Sequence, residues 1–107
     1  MGCHVYIVTN STKSVLYVGM TNDLAIRLVE HYNRRGNPKS FTGRYHCYYL
    51  LWYEYHHTAS GAIMREKEIK KWRREKKENL INDFNPEWLF LNKEVTTWPP
   101  EVGTQRF

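Results

Sequence analysis

The stretch His4-Val5-Tyr6-Ile7-Val8-Thr9, followed after Asn10-Ser11-Thr12-Lys13-Ser14 by Val15-Leu16-Tyr17-Val18-Gly19, decides how this chain folds. Two short runs of β-branched and aromatic residues with a small polar stretch between them read as a β-hairpin. Side chains alternate faces along a strand, so Tyr6 and Val8 share one face of the first run, as do Val15, Tyr17 and Gly19 on the second. In one register Tyr6 and Tyr17 fall on a common face; the pattern alone leaves the register open.

Past the hairpin, Thr21 or Asn22 followed by Asp23 supplies a cap and a first-turn acid for a helix to about Tyr32, with Leu24, Leu28 and Val29 as its apolar side. Arg27 and His31, four apart, project from one face of it. Residues 33–42 read as a basic loop. Tyr45 to Tyr55 is aromatic-rich and reads as a long, bent central strand, with Thr58 as a cap for the next element. That element is a second helix, expected from about Ala59 through a basic segment, and a further helix is expected over Lys76 to Asp83. Asn85-Pro86 reads as a cap and helix-start proline, with Trp88, Leu89 and Leu91 packing back on the body. After Glu94 the periodicity ends, and a loosely held tail over 95–107 is expected beyond a domain of residues 1–94. Three strands with helices inserted and appended give an α/β or α+β layer, a small three-stranded mixed or antiparallel sheet flanked by helices.

Composition narrows the function classes. The 107 residues suit one compact core, and 41% hydrophobic with 15% aromatic residues suffices to pack it. Only Cys3 and Cys47 occur, with no CxxC pair and no secretory apolar stretch, so a reducing cytoplasm is expected. The longest apolar run, around Tyr48 to Tyr53, falls far short of the roughly 20 residues of a membrane span. The adjacent His56 and His57 lack a second Cys/His pair at zinc spacing.

The formal net charge of +5 is concentrated. Arg65, Lys67, Lys70, Lys71, Arg73, Arg74, Lys76 and Lys77 stand against Glu66, Glu68 and Glu75 in one segment, which carries as large an excess as the whole chain. Such a stripe is either a solvated helix face laced with ion pairs or a surface that meets phosphates.

At this point the residues resemble a family. His4-Val5-Tyr6-Ile7 with Leu16-Tyr17-Val18-Gly19 is similar to the two halves of the signature that names the GIY-YIG nucleases. Arg27-Leu28 and Glu30-His31 resemble the segment with that family's catalytic arginine. Ala62, Arg65-Glu66-Lys67, Ile69-Lys70-Lys71-Trp72, Lys76, Leu80-Ile81 and Asn85-Pro86-Glu87-Trp88 resemble the small stand-alone branch related to the excinuclease nuclease domain. The likeness runs from residue 4 to about 92.

The resemblance implies a DNA-cleaving phosphodiesterase using Mg²⁺ or Mn²⁺. Such a reaction needs an activated water, an offset for charge on the phosphate, and help for the leaving oxygen. Tyr6 and Tyr17 would flank the water, one of them as general base, and Arg27 would grip the scissile phosphate. Glu66 would hold the metal, and His31 would stand near the nucleophile. Lys67, Lys70, Lys71, Arg73, Arg74 and Lys76 would bind the nucleic acid. Three departures stand out: His4-Val5 replaces Gly-Ile, Met20 lies where some relatives carry lysine, and the asparagine found downstream of the metal glutamate has only Asn79 as a distant counterpart. DNA is the expected partner; phosphate contacts do not distinguish it from RNA. A non-catalytic nucleic-acid-binding module of the same fold is the alternative reading.

Overall fold

The computed structural model describes residues 2–100. Strand β1 (Cys3–Thr9) pairs antiparallel with both β2 (Leu16–Thr21) and β3 (Tyr49–His56), giving the sheet order β2-β1-β3. The sheet is thus wholly antiparallel, and the central strand is β1, not the 45–55 segment. Five of its residues in succession, Val5 to Thr9, are buried, because helices cover both of its faces.

On one face Val5 and Ile7 meet Val18, Leu51 and Trp52 of the neighbouring strands, Ala62 and Ile69 of α3 (Ala59–Lys70) and Ile81 of α4 (Arg74–Phe84). On the other, Tyr6 and Val8 meet Leu24 and Leu28 of α1 (Leu24–Asn33), together with Cys47, Leu50 and Leu91. Asp23 is the N-cap of α1, its carboxylate accepting from Ile26 N at 3.0 Å.

Three segments differ from the sequence expectation, each for a local reason. Residues 41–44 form a short helix, α2 (Phe41–Arg44), inside what reads as loop and strand. Ser40 caps it by accepting from Gly43 N, and Cys47 N bonds back to Thr42 O at 2.8 Å, so β3 begins only at Tyr49. The basic segment is broken between α3 and α4, with Arg73 extended at the junction. Ile69 and Ile81 enter the same core, yet in one unbroken helix they would point about 120° apart and stand roughly 18 Å apart along the axis. Asn85, finally, ends α4 and starts no helix. Its buried amide donates to Leu51 O and Leu89 O and accepts from Leu89 N, closing an irregular turn that leads to α5 (Asn92–Val95). Trp88 and Leu91 pack on the body, whereas Leu89 is exposed.

The outer edge of β3 is also closed by side chains. Asn92 accepts from Leu50 N at 2.9 Å and donates to Tyr48 O at 2.8 Å, and Leu91 N reaches Leu50 O at 2.8 Å. Of the segment expected as a tail, Trp98 packs edge-on against Tyr32 and Pro100 is buried; residues 101–107 lie outside the described residues. No helix among the described residues is long and apolar enough to cross a membrane.

Asn92→Ala leaves an amide and a carbonyl of the β3 segment without partners inside the fold, at an expected cost of about 2 to 4 kcal/mol. Urea unfolding of the two proteins measures it; a difference below about 0.5 kcal/mol, the level of an ordinary surface change, would show that water replaces Asn92 at that edge.

Candidate active site

The register of the hairpin settles the question its sequence leaves open. Tyr6 pairs with Gly19 and Tyr17 with Val8, so the side chains of Tyr6 and Tyr17 project from the same face, the one covered by α1. Tyr6 is 1% exposed, and its hydroxyl lies so close to Gly19 that a Cβ there would stand 2.5 Å from the phenol oxygen. Glycine at 19 thus makes room for the tyrosine opposite it.

From α1, His31 meets that hydroxyl: Tyr6 Oη and His31 Nε2 share a buried hydrogen bond of 2.8 Å. His31 itself is buried, and its Nδ1 has no hydrogen-bond partner among the described residues. Burial pushes the Tyr6 phenol far above the ordinary tyrosine range, with Tyr17, Glu66 and Glu30 acting in the same direction and Arg27 against it. Burial, with the neighbouring Arg27 and Arg34 cations acting in the same direction, lowers His31 to about 4. Both partners are therefore neutral at pH 7. The ring of Tyr17 stands edge-on to His31 at 6.0 Å between centroids, and unlike Tyr6 it keeps partial access to solvent.

Arg27, one turn before His31, pairs with Glu30 at 3.1 Å, a partner the sequence reading overlooked although the i,i+3 spacing displays it. Glu66 comes from α3. Its side chain is only 17% exposed, and its carboxylate lies 3.4 Å from Lys70 Nζ. That ammonium also stands over the Tyr17 ring at 5.7 Å from the centroid, so Lys70 touches both halves of the site. Sequence reasoning assigns Lys70 to general nucleic-acid binding; only the fold brings it to Tyr17.

No group of three or more His, Cys, Asp or Glu that would cage a metal occurs among the described residues. Magnesium commonly binds through one or two carboxylates and fills its shell with water and substrate phosphate, so a lone half-buried glutamate beside tyrosines fits a hard cation of that kind.

The basic residues fall into two groups. Lys67, Lys70 and Lys71 at the end of α3 are exposed, as is Arg73 in the break, while Lys76 stands over the Trp72 ring at 4.4 Å. Arg74 departs from the expectation of a phosphate contact. Its guanidinium donates to Ser14 O, Lys13 O and Glu78, tying α4 to the hairpin turn. Asn79 is exposed on α4, on a different helix from Glu66.

A three-stranded antiparallel sheet flanked by helices, with a tyrosine-bearing motif on each strand of its hairpin, is the arrangement of the nuclease-type catalytic domain that those motifs resemble. The chain belongs to the GIY-YIG family: residues 2–79 match the model described as the GIY-YIG catalytic domain. Its relatives are small stand-alone UPF0213 proteins. One from Haloquadratum walsbyi is 39% identical over 80 residues, covering 75% of this chain and 86% of that protein. Another, from Staphylococcus aureus strain Mu3, is 38% identical over 79 residues, covering 74% and 93%. The solution NMR structure of a UPF0213 protein from Bacillus halodurans aligns with a TM-score of 0.53 at 28% identity, over 91% of this chain and 100% of that one.

Two predictions come from this geometry. Because folded His31 resists protonation down to about pH 4 whereas an unfolded histidine takes its proton near 6.5, its stabilising contribution is complete above pH 6.5 and lost as pH falls toward 4. The loss is up to roughly 3 kcal/mol, and His31→Gln should lack it. Urea midpoints of both proteins across that range report the difference, and parallel curves would contradict a buried neutral imidazole. Arg74→Ala should weaken the fold by roughly 1 kcal/mol and leave the salt dependence of duplex DNA binding unchanged. Lys71→Ala should reduce the log-log salt slope by up to about 0.9 without lowering stability. The reverse pattern would make Arg74 the phosphate contact.

Proposed function

We propose that this protein is a divalent-metal-dependent endonuclease that hydrolyses phosphodiester bonds in DNA, with Mg²⁺ or Mn²⁺ held at Glu66. The observation that carries the reading is the meeting of Tyr6, Tyr17, Arg27 and His31 on one sheet face with Glu66 and Lys70 brought to the same place from α3. A fold needs none of these charges there. A nucleic-acid-binding surface has no use for a half-buried carboxylate beside the phosphates it attracts.

In this reading Tyr17, the tyrosine with access to solvent, faces the attacking water; having passed its own phenol proton to solvent, it takes the proton that the water gives up as it attacks. Tyr6 stays neutral and holds its hydroxyl against His31, which fixes the walls of the water site. Arg27 presents its planar fork to the non-bridging oxygens of the scissile phosphate, where charge builds in the transition state. Glu30 keeps that fork oriented until substrate arrives. When bound, the metal neutralises phosphate charge and assists the departing oxygen. Lys70, now paired with Glu66, is placed to answer negative charge on either side of it. Lys67, Lys71 and Arg73 supply sequence-independent phosphate contacts, so the activity is structure-selective or weakly specific. Cys3 and Cys47 are both free and buried, which accords with the reducing cytoplasm we assign to the protein.

Single-turnover cleavage beside equilibrium binding tests the assignment. Glu66→Gln should abolish metal-dependent cleavage while DNA binding is kept or strengthened. Arg27→Lys should keep affinity but slow the cleavage step about 10²- to 10³-fold, since it retains charge and loses the fork. Binding without cleavage by the wild-type protein on single-stranded, branched and duplex DNA, in both Mg²⁺ and Mn²⁺, would instead identify a non-catalytic binding module.

A further inference from the structure

The short helix α2 is turned the wrong way round for a core element. Its buried residues are Thr42 and Gly43, while Phe41 is 49% exposed and Tyr45, just beyond the helix, is 41% exposed. An amphipathic segment normally buries its rings and exposes its small polar residues. The inversion is built in. A Cβ at Gly43 would stand 2.6 Å from both Arg34 O and Asn37 O, so only glycine lets α2 press its small side onto the 34–37 turn. Gly36 N bonds to Gly43 O at 2.9 Å, and Arg44 donates to Pro38 O at 3.0 Å. The segment is thus well tied down while its two rings point to solvent.

Those rings are continuous with the site. Phe41 stacks on Tyr17 with centroids 5.7 Å apart and planes 29° from parallel, and Tyr45 lies 4.8 Å beyond Phe41. The row Tyr17, Phe41, Tyr45 therefore leads outward from the solvent-facing tyrosine. Beside it a cleft of about 230 Å³ is lined by Pro38, Lys39, Ser40, Phe41, Arg44 and Tyr45, placing two cations next to the exposed rings. Exposed aromatic faces flanked by lysine and arginine suit a nucleobase with its phosphates. A base held in a duplex cannot offer its face to a ring without leaving the stack, whereas an unpaired base can.

We infer that Phe41 and Tyr45 form a stacking platform for an unpaired base adjoining the phosphate that reaches Tyr17 and Arg27, which makes single-stranded or frayed DNA the preferred substrate class. The inference rests on the nuclease reading for what happens to that phosphate, and its test reads binding in the absence of metal. Affinities of the full chain in EDTA are measured for a short oligothymidylate, a strand of equal length built of abasic sites, and a duplex of equal length. The wild-type protein should prefer the oligothymidylate to both others. The double variant Phe41→Ala/Tyr45→Ala should lose about 5- to 150-fold for the oligothymidylate, the span expected per stacked base, and bind the other two unchanged. Phe41→Tyr should retain the preference and Phe41→Leu, which keeps the apolar bulk without the π face, should lose part of it.

Equal wild-type affinity for abasic and base-bearing strands overturns the platform, as does a folded double variant that binds like the wild type. So does a concentration-dependent dimer in sedimentation that the double variant abolishes without any change in strand affinity, which would make the patch a contact between copies. Base-dependent binding by a protein that cleaves nothing in Mg²⁺ or Mn²⁺ leaves the platform standing and removes the nuclease reading alone.

Discussion

The hydrogen bond between Tyr6 Oη and His31 Nε2 is the constraint on which the geometry of the site depends. A tyrosine buried in the central strand gains from covering its ring but must find a partner for its hydroxyl, since an unpaired buried donor costs about 1 to 3 kcal/mol. Helix α1 offers that partner. Meeting it fixes the rotation and register of α1 against the sheet, and with them the place of Arg27 one turn earlier. Gly19 is the matching requirement on β2, because any larger residue would occupy the space of the phenol oxygen. The buried Nδ1 of His31 has no hydrogen-bond partner among the described residues.

The two faces of the sheet divide the work. The face under α3 and α4 buries an apolar cluster, while the face under α1 mixes apolar residues with the Tyr6–His31 pair. The two are joined across the β2 edge. Helix α3 buries Ala62 and Ile69 on the first face, yet its Lys70 reaches the ring of Tyr17 on the second. The break after Lys70 serves the same end, since it lets α3 align with β2 while α4 turns to put Ile81 into the core.

The basic stripe likewise serves two purposes. Arg65 is held by Glu54 and Glu68, and Arg74 by the hairpin carbonyls and Glu78, so both are spent on joining elements. The cations left to solvent lie at the end of α3, where Lys70 stands over the Tyr17 ring, and in the 34–44 segment, where Phe41 stacks on it.

The hairpin, the capped helix after it, the three-stranded layer and the residue types of the candidate site are all legible in the chain, because each is written in short-range patterns: alternation, caps and spacing along one element. The chain also displays Arg27 and His31 as neighbours, since four residues on a helix fix a face. That Tyr6 and Tyr17 share a face is visible only in the folded sheet, because strand register is an agreement between two segments. Only the fold makes β1 and not the aromatic 45–55 run the central strand, as both are rich in apolar residues and the choice lies in which helices cover them. The assignment of Arg74 to the hairpin, of Lys70 to Tyr17, and of Phe41 to the surface beside the site was decided at the same level. Each depends on contacts between residues far apart in sequence, and charge or hydrophobicity at one position carries no information about the partner the fold will bring to it.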